Sequence, residues 1–94
     1  MEEINILRNK IDICDKKIVD LIFDRLELCK QIGKIKKENN LNVIDNNRWQ
    51  NIIDKIIKLA KNKSNKETEE DYVYLIINIY NLIHETSCNL QKNE

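Results

Sequence analysis

The sequence contains no proline and a single glycine, Gly33. Proline kinks and glycine-based hairpin turns are therefore missing from it. Valine, threonine and aromatic residues are scarce, which removes the usual material of a sheet, while Ile, Leu, Lys, Glu and Asn abound. Net charge is absent too: 16 Lys+Arg balance 16 Asp+Glu. No whole-chain field draws the protein to nucleic acid or to an anionic membrane, and neither is expected as a partner. No apolar run approaches the roughly 18 residues of a membrane-crossing helix. The opening MEEINILRNK carries acids and no apolar stretch of a signal peptide. Cys14, Cys29 and Cys88 are odd in number and form no CxxC pair. They read as reduced, half-buried thiols of a cytoplasmic protein rather than a zinc site or disulfide framework. There is no phosphate loop, no nucleophile triad spacing and no metal-ligand cluster, so neither cofactor nor metal is expected.

What remains is helical periodicity in one domain spanning residues 1–94. Ile4, Leu7, Ile11, Cys14, Ile18, Leu21, Arg25, Leu28, Ile32 and Ile35 follow steps of three and four, one stripe of a helix. The segment from about Glu3 to Glu38 would be roughly 54 Å long at 1.5 Å per residue. A compact chain of this size has a radius of gyration of only about 12–13 Å. Such a helix cannot bury its stripe against the remaining residues, and pairing with a second copy is the cheapest solution. Asn39, Asn40 and Asn42 favour a turn. A second helix is expected from Asp45 as N-cap, with Trp49, Ile52, Ile53, Ile56, Ile57 and Ala60 on one face. Ser64-x-x-Glu67 and Thr68-x-x-Asp71 both fit a capping box opening a third helix. Its stripe is Val73, Ile76, Ile77, Tyr80, Ile83, Ser87 and Gln91. The expected fold is all-α: three helices per chain, long, short and medium, paired along the first helix in a dimer.

Polar residues interrupt two of these stripes. Arg25 stands on the first, where an unpaired guanidinium should cost several kcal/mol. Lys36, 11 residues on, projects from the same face about 16 Å away, with Cys29 and Ile32 between them. Two long cations bracketing an apolar floor suit a compact anion with an apolar body. Ser87 and Gln91 lie one turn apart on the third stripe, and Asp45 and Arg48 open the second helix. Arg is rare here: 13 of the 16 basic residues are Lys, leaving Arg8, Arg25 and Arg48. A planar fork is what bidentate binding of a carboxylate needs. Arg8 lies about 25 Å before Arg25 and flanks the seam, so in an antiparallel dimer it would reach the partner's Arg25 region. Each signal has a plainer reading. Arg25 alone fits a register device or a side chain snorkelling to water. Lys36 fits a solvated residue at a helix end, Ser87 and Gln91 a fraying end, and Asp45 with Arg48 a surface ion pair. His84 reads as a packed histidine, and Gly33 as a point of close helix approach.

The stretch LRNKIDICDKKIVDLIFDRLELCKQIGKIK resembles the opening helix of the all-helical chorismate mutases. The family pattern LRxxIDxxDxxLLxLLxxR with a GxxK ending appears as Leu7-Arg8, Ile11-Asp12, Asp15, Leu21, Arg25, Gly33 and Lys36. A second signature, VxDxxR, appears as Val43, Asp45 and Arg48. A third, IxxxSxxxQ, appears as Ile83, Ser87 and Gln91. The resemblance runs from about Ile6 to Gln91. It implies an intertwined homodimer that rearranges chorismate to prephenate on the way to phenylalanine and tyrosine, with no cofactor.

By that resemblance Arg8 of the partner chain and Arg25 clamp two carboxylates. Lys36 and Gln91 hydrogen-bond the ether oxygen, Ile32 forms an apolar wall, Asp45 helps hold the ring hydroxyl or orders the loop, and Arg48 and Ser87 complete the pocket. One departure stands out: the residue after the motif arginine is usually Glu, which binds the ring hydroxyl, and here it is Trp49, followed by Gln50. Either Asp45 or Gln50 then takes that role, or Trp49 packs inward. Two other functions fit the same helices: an isochorismate pyruvate lyase, and a non-catalytic helical dimerisation module.

Overall fold

The computed structural model describes residues 1–93. They form three helices: α1, Glu2–Glu38; α2, Asn46–Lys63; and α3, Glu69–Lys92, with no strand among the described residues. The absence of proline lets α1 run for 37 residues without a break. It ends where Asn40 adopts φ 55°, a left-handed conformation that asparagine tolerates. Two bonds close the end: Leu41 N–H to the Lys36 carbonyl at 2.8 Å, and Asn40 N–H to the Lys37 carbonyl at 3.3 Å. This is a Schellman closure with asparagine in the usual glycine position.

Asp45 caps α2 as the sequence predicts, its carboxylate accepting from the Arg48 backbone N–H at 3.0 Å. The expected surface ion pair between these two is thus a cap bond to the main chain instead. Neither expected capping box opens α3. Ser64 is the C-cap of α2, and its hydroxyl donates back to the Ala60 carbonyl at 2.9 Å. Thr68 stands at the N-cap of α3 without a side-chain cap bond. The Asn65 side-chain oxygen Oδ1 takes those roles, accepting from Glu67 N–H, Thr68 N–H and the Thr68 hydroxyl, each at 3.0 Å. The Asn65 side chain thus holds the Thr68 N–H that the Asp71 carboxylate would take in a capping box, and the Glu67 N–H that the Ser64 hydroxyl would take.

α3 packs against both other helices, while α1 and α2 do not pack against each other. The closest approach of α1 and α3 is at Gly33, where a Cβ would lie 2.7 Å from the Gln91 Cα. Little is buried. Ile56 and Ala60 on α2 are each 6% exposed, and Ser87 on α3 is 5% exposed. On α1 only Gly33 is buried. Residues 1–21 are all exposed, including Ile4, Leu7, Ile11, Ile18 and Leu21 of the apolar stripe. The three thiols are unpaired; Cys29 and Cys88 are half-buried as expected, but Cys14 is exposed because nothing covers its half of α1.

The molecule extends over 57 × 29 × 15 Å with a radius of gyration of 16.8 Å, against about 12 Å for a compact chain of 94 residues. Its accessible surface is 7976 Å², where a compact monomer of this mass exposes about 5,700 Å². A second apolar surface faces outward between α2 and α3, a groove of about 270 Å³ lined by Ile56, Leu59, Ala60, Tyr72, Leu75 and Tyr80 among others. No helix among the described residues is long and apolar enough to cross a membrane.

Candidate active site

Three separate stretches supply one cavity of about 250 Å³. α1 contributes Arg25, Cys29, Ile32 and Lys36, whose spacing of four, three and four puts them on one stripe. The first turn of α2 contributes Asp45, Arg48 and Trp49, and α3 contributes His84, Ser87, Cys88 and Gln91. Seven of the expected site residues therefore meet: Arg25, Ile32, Lys36, Asp45, Arg48, Ser87 and Gln91. Arg8 is not among them. It lies exposed on the bare half of α1.

Arg25 is half-buried, and its neighbours are neutral. One Nη donates to the Ser87 hydroxyl at 3.3 Å and faces the Cys29 sulfur at 3.8 Å. The guanidinium carbon stands 5.6 Å from the centre of the Tyr80 ring, a cation–π contact. Ser87 can accept because its own proton goes to the Ile83 carbonyl at 2.7 Å. Lys36 is held in the same way by neutral acceptors, the Val43 carbonyl at 2.7 Å and the Gln91 Oε1 at 3.0 Å. Ammonium groups only donate, so the Lys36 bond fixes the Gln91 amide with its NH₂ turned to other acceptors. Among the described residues Lys30 pairs with Glu27 at 4.0 Å, and no ion pair includes Arg25, Lys36 or Arg48. Three cations thus line a cavity whose one carboxylate, Asp45, has an oxygen committed to the α2 cap. Arg48 is exposed while Arg25 and Lys36 are half-buried, and an anionic ligand would supply the counter-charge that the cavity lacks for them.

A family model described as chorismate mutase type II matches residues 7–92. The chain belongs to the chorismate mutase type II family. It is 33% identical over 92 residues to the chorismate mutase of Methanocaldococcus jannaschii, covering 98% of this chain and 87% of that protein. Two bifunctional chorismate mutase/prephenate dehydratases are also similar. That of Aquifex aeolicus is 41% identical over 61 residues, or 65% of this chain and 17% of the relative. That of Buchnera aphidicola is 37% identical over 87 residues, or 93% of this chain and 21% of the relative. The chain thus spans about a fifth of the length of these bifunctional relatives. No solved structure matches the chain significantly.

Within this family domain, the cavity wall takes the inward alternative for Trp49 and adds His84, which was not expected there. Trp49 packs inward, its ring stacked on His84 with centroids 3.9 Å apart and planes 13° from parallel. Gln50 turns away and donates to Asp54 at 2.9 Å on the exposed face of α2, so it does not serve the cavity. His84 lines the cavity together with Cys88. Burial, and then the positive charge of Arg25, lower its pKa below the ordinary histidine value. The signal that would have found it is its spacing: His84 precedes Ser87 by three and Gln91 by seven, on one helix face.

Proposed function

We propose that this chain, as one domain over residues 1–94, is a chorismate mutase acting as a cytoplasmic homodimer. The reading rests on one observation above others: Arg25, Lys36 and Arg48 converge on a cavity in which none has a carboxylate partner. The substrate is a dicarboxylate, and its anionic groups replace the missing counter-charges. Arg25 and the partner's Arg8 hold the two carboxylates, with Arg48 and Ser87 completing the polar wall and Ile32 the apolar floor. Holding both carboxylates fixes the side chain over the ring, and that geometry is most of what an intramolecular rearrangement requires. In the reaction the ether C–O bond breaks as a C–C bond forms, without a nucleophile. Negative charge grows on the ether oxygen in the transition state. The Lys36 ammonium and the Gln91 NH₂, oriented by their mutual bond at 3.0 Å, donate to it there. Asp45 orders the first turn of α2 and so holds Arg48 and Trp49 at the rim.

A second copy explains the shape. The accessible surface exceeds that of a compact monomer by about 2,300 Å² per chain, the scale of an obligate interface. The bare stripe of residues 1–21 and the apolar groove between α2 and α3 are complementary in character. An antiparallel arrangement brings Arg8 about 25 Å along α1 to the other chain's Arg25, giving two sites, each built from both chains. The test is direct: purified protein is incubated with chorismate while its absorbance is followed and prephenate is identified. A folded dimer without turnover refutes the activity, and a monomer at micromolar concentration in sedimentation refutes the shared site.

The inward Trp49 favours one alternative, removal of pyruvate from isochorismate by the same cavity. Product analysis with both substrates separates the two reactions. A purely structural dimerisation role predicts no thermal stabilisation by a bicyclic transition-state mimic.

A further inference from the structure

The stacked rings of Trp49 and His84 raise a question that the cations do not answer. Stacking at 3.9 Å fixes the plane of the imidazole. On its other contact, the Cys88 sulfur is 3.8 Å from Nδ1 and 3.7 Å from Nε2. The in-plane axes of the two nitrogens diverge, so an atom in line with one is distinctly farther from the other. Near-equal distances put the thiol in line with neither. His84 therefore keeps its nitrogens for another group. With burial and Arg25 both opposing protonation, the ring at neutral pH is the neutral form, one donor and one acceptor.

The other side-chain oxygen acceptors in the cavity each hold a bond within the chain, and the second oxygen of Asp45 stands at its exposed rim. Gln91 Oε1 receives Lys36, and Ser87 Oγ receives Arg25. Asp45 Oδ1 receives the cap N–H, and its side chain is at the exposed rim. The carboxylates and the ether oxygen of the substrate need donors, which the cations and the Gln91 amide supply. The hydroxyl on the substrate ring needs an acceptor, and His84 is the half-buried one left uncommitted.

We propose that the Trp49–His84 pair sets the specificity of the cavity: the indole holds the imidazole plane, and His84 accepts a hydrogen bond from the hydroxyl on the ring of a cyclic dicarboxylate. This rests on the chorismate reading of the same cavity. His84 in this role binds substrate and takes no part in the bond rearrangement, and Trp49 is a positioning residue that acts through it.

The test uses two oxabicyclic dicarboxylates, one with the ring hydroxyl and one with hydrogen in its place, titrated calorimetrically into the purified dimer. The wild-type protein is expected to prefer the hydroxylated ligand by roughly tenfold, the effect of one buried hydrogen bond. His84→Phe keeps an aromatic ring on Trp49 and should bind the two ligands equally. His84→Gln, which restores an acceptor, should recover part of the preference and serves if His84→Phe does not fold. Trp49→Ala, which frees the imidazole plane, should reduce the preference. A preference that survives in both His84 variants overturns the assignment, as does one lost in Asp45→Asn and kept in His84→Phe. Equal weakening of both ligands by His84→Phe shows a merely structural role and also overturns it. If the wild-type protein binds both ligands equally, the His84 role fails and the dicarboxylate site stands. If it binds neither, the chorismate reading fails and takes this one with it.

Discussion

Gly33→Ala tests the geometry of the cavity at its narrowest point. A Cβ at position 33 would sit 2.7 Å from the Gln91 Cα, 3.0 Å from its Cβ and 3.1 Å from its Cγ, where ordinary contact begins near 3.4 Å. The nearest of these atoms is backbone, so no rotamer change relieves the contact and α1 and α3 must part by about 1 Å. Two opposing effects then act on stability. Alanine is the better helix former by about 1 kcal/mol, while crowding a packed contact costs about 1–3 kcal/mol. The net loss is at most about 2 kcal/mol, and the variant should fold with its helix content intact. Function is less forgiving. Gln91 carries the acceptor that holds Lys36 at 3.0 Å, and Ser87, one turn earlier, holds Arg25 at 3.3 Å. A displacement of about 1 Å breaks both bonds, and misplacement on that scale costs on the order of a hundredfold in rate. The assay pairs kcat/KM on chorismate with thermal melting, using Lys34→Ala on the exposed face as the control. A hundredfold fall in kcat/KM with only a small drop in Tm is expected. Wild-type kcat/KM in a folded Gly33→Ala protein would refute the claim that this contact sets the Lys36–Gln91 pair.

On the proposed mechanism Lys36→Ala removes one donor to the developing charge and should lower kcat by about 10²–10³, or roughly 3–4 kcal/mol of barrier, with the circular dichroism unchanged; a rate near wild type would remove Lys36 from the site. Arg8→Ala and Arg25→Ala should each be inactive alone. Unfolded and refolded together, they should regain about a quarter of the wild-type sites, because half the dimers are mixed and each mixed dimer has one intact site; no recovery means that the site is not shared between chains. His84 gives a pH signature. Its pKa is lowered in the folded chain, first by burial and then by Arg25, and returns to about 6.5 on unfolding. Between those two values the unfolded chain binds more protons. Stability is therefore full above about pH 6.5, falls as the pH drops through that window and levels off below the folded value. Urea titrations across pH 4–8 should show this slope in the wild type and a weaker one in His84→Phe.

Much of this architecture is written in one-dimensional spacing. The stripe from Ile4 to Ile35 has a single period, so α1 was expected over Glu3–Glu38 and runs over Glu2–Glu38. Arg25 and Lys36 share a cavity because 11 residues of helix are three turns, and no tertiary information is needed for that. Asp45 was legible as a cap for the same local reason. The linker was not. Asn65 takes the Glu67 and Thr68 N–H groups in a local side-chain turn, an option that the two three-residue box spacings do not express. The Trp49–His84 stack was hidden for a different reason. It depends on the rotation of α2 against α3, and no periodicity within either helix encodes the angle between them. The inward turn of Trp49 and the outward turn of Gln50 follow from that rotation, and so does the identity of the remaining cavity wall.

The long uncovered half of α1 has a consequence for how the protein meets dilution. Among the described residues Ile56 and Ala60 are the buried apolar ones, so on the dimer reading a solitary chain has little core to hold it folded. In the proposed dimer, association and folding are then one equilibrium, and halving the concentration acts in the same direction as adding urea. The melting temperature becomes a property of the amount of protein as well as of its sequence. In that dimer, the lifetime of a scarce chain is set by how soon it finds its twin.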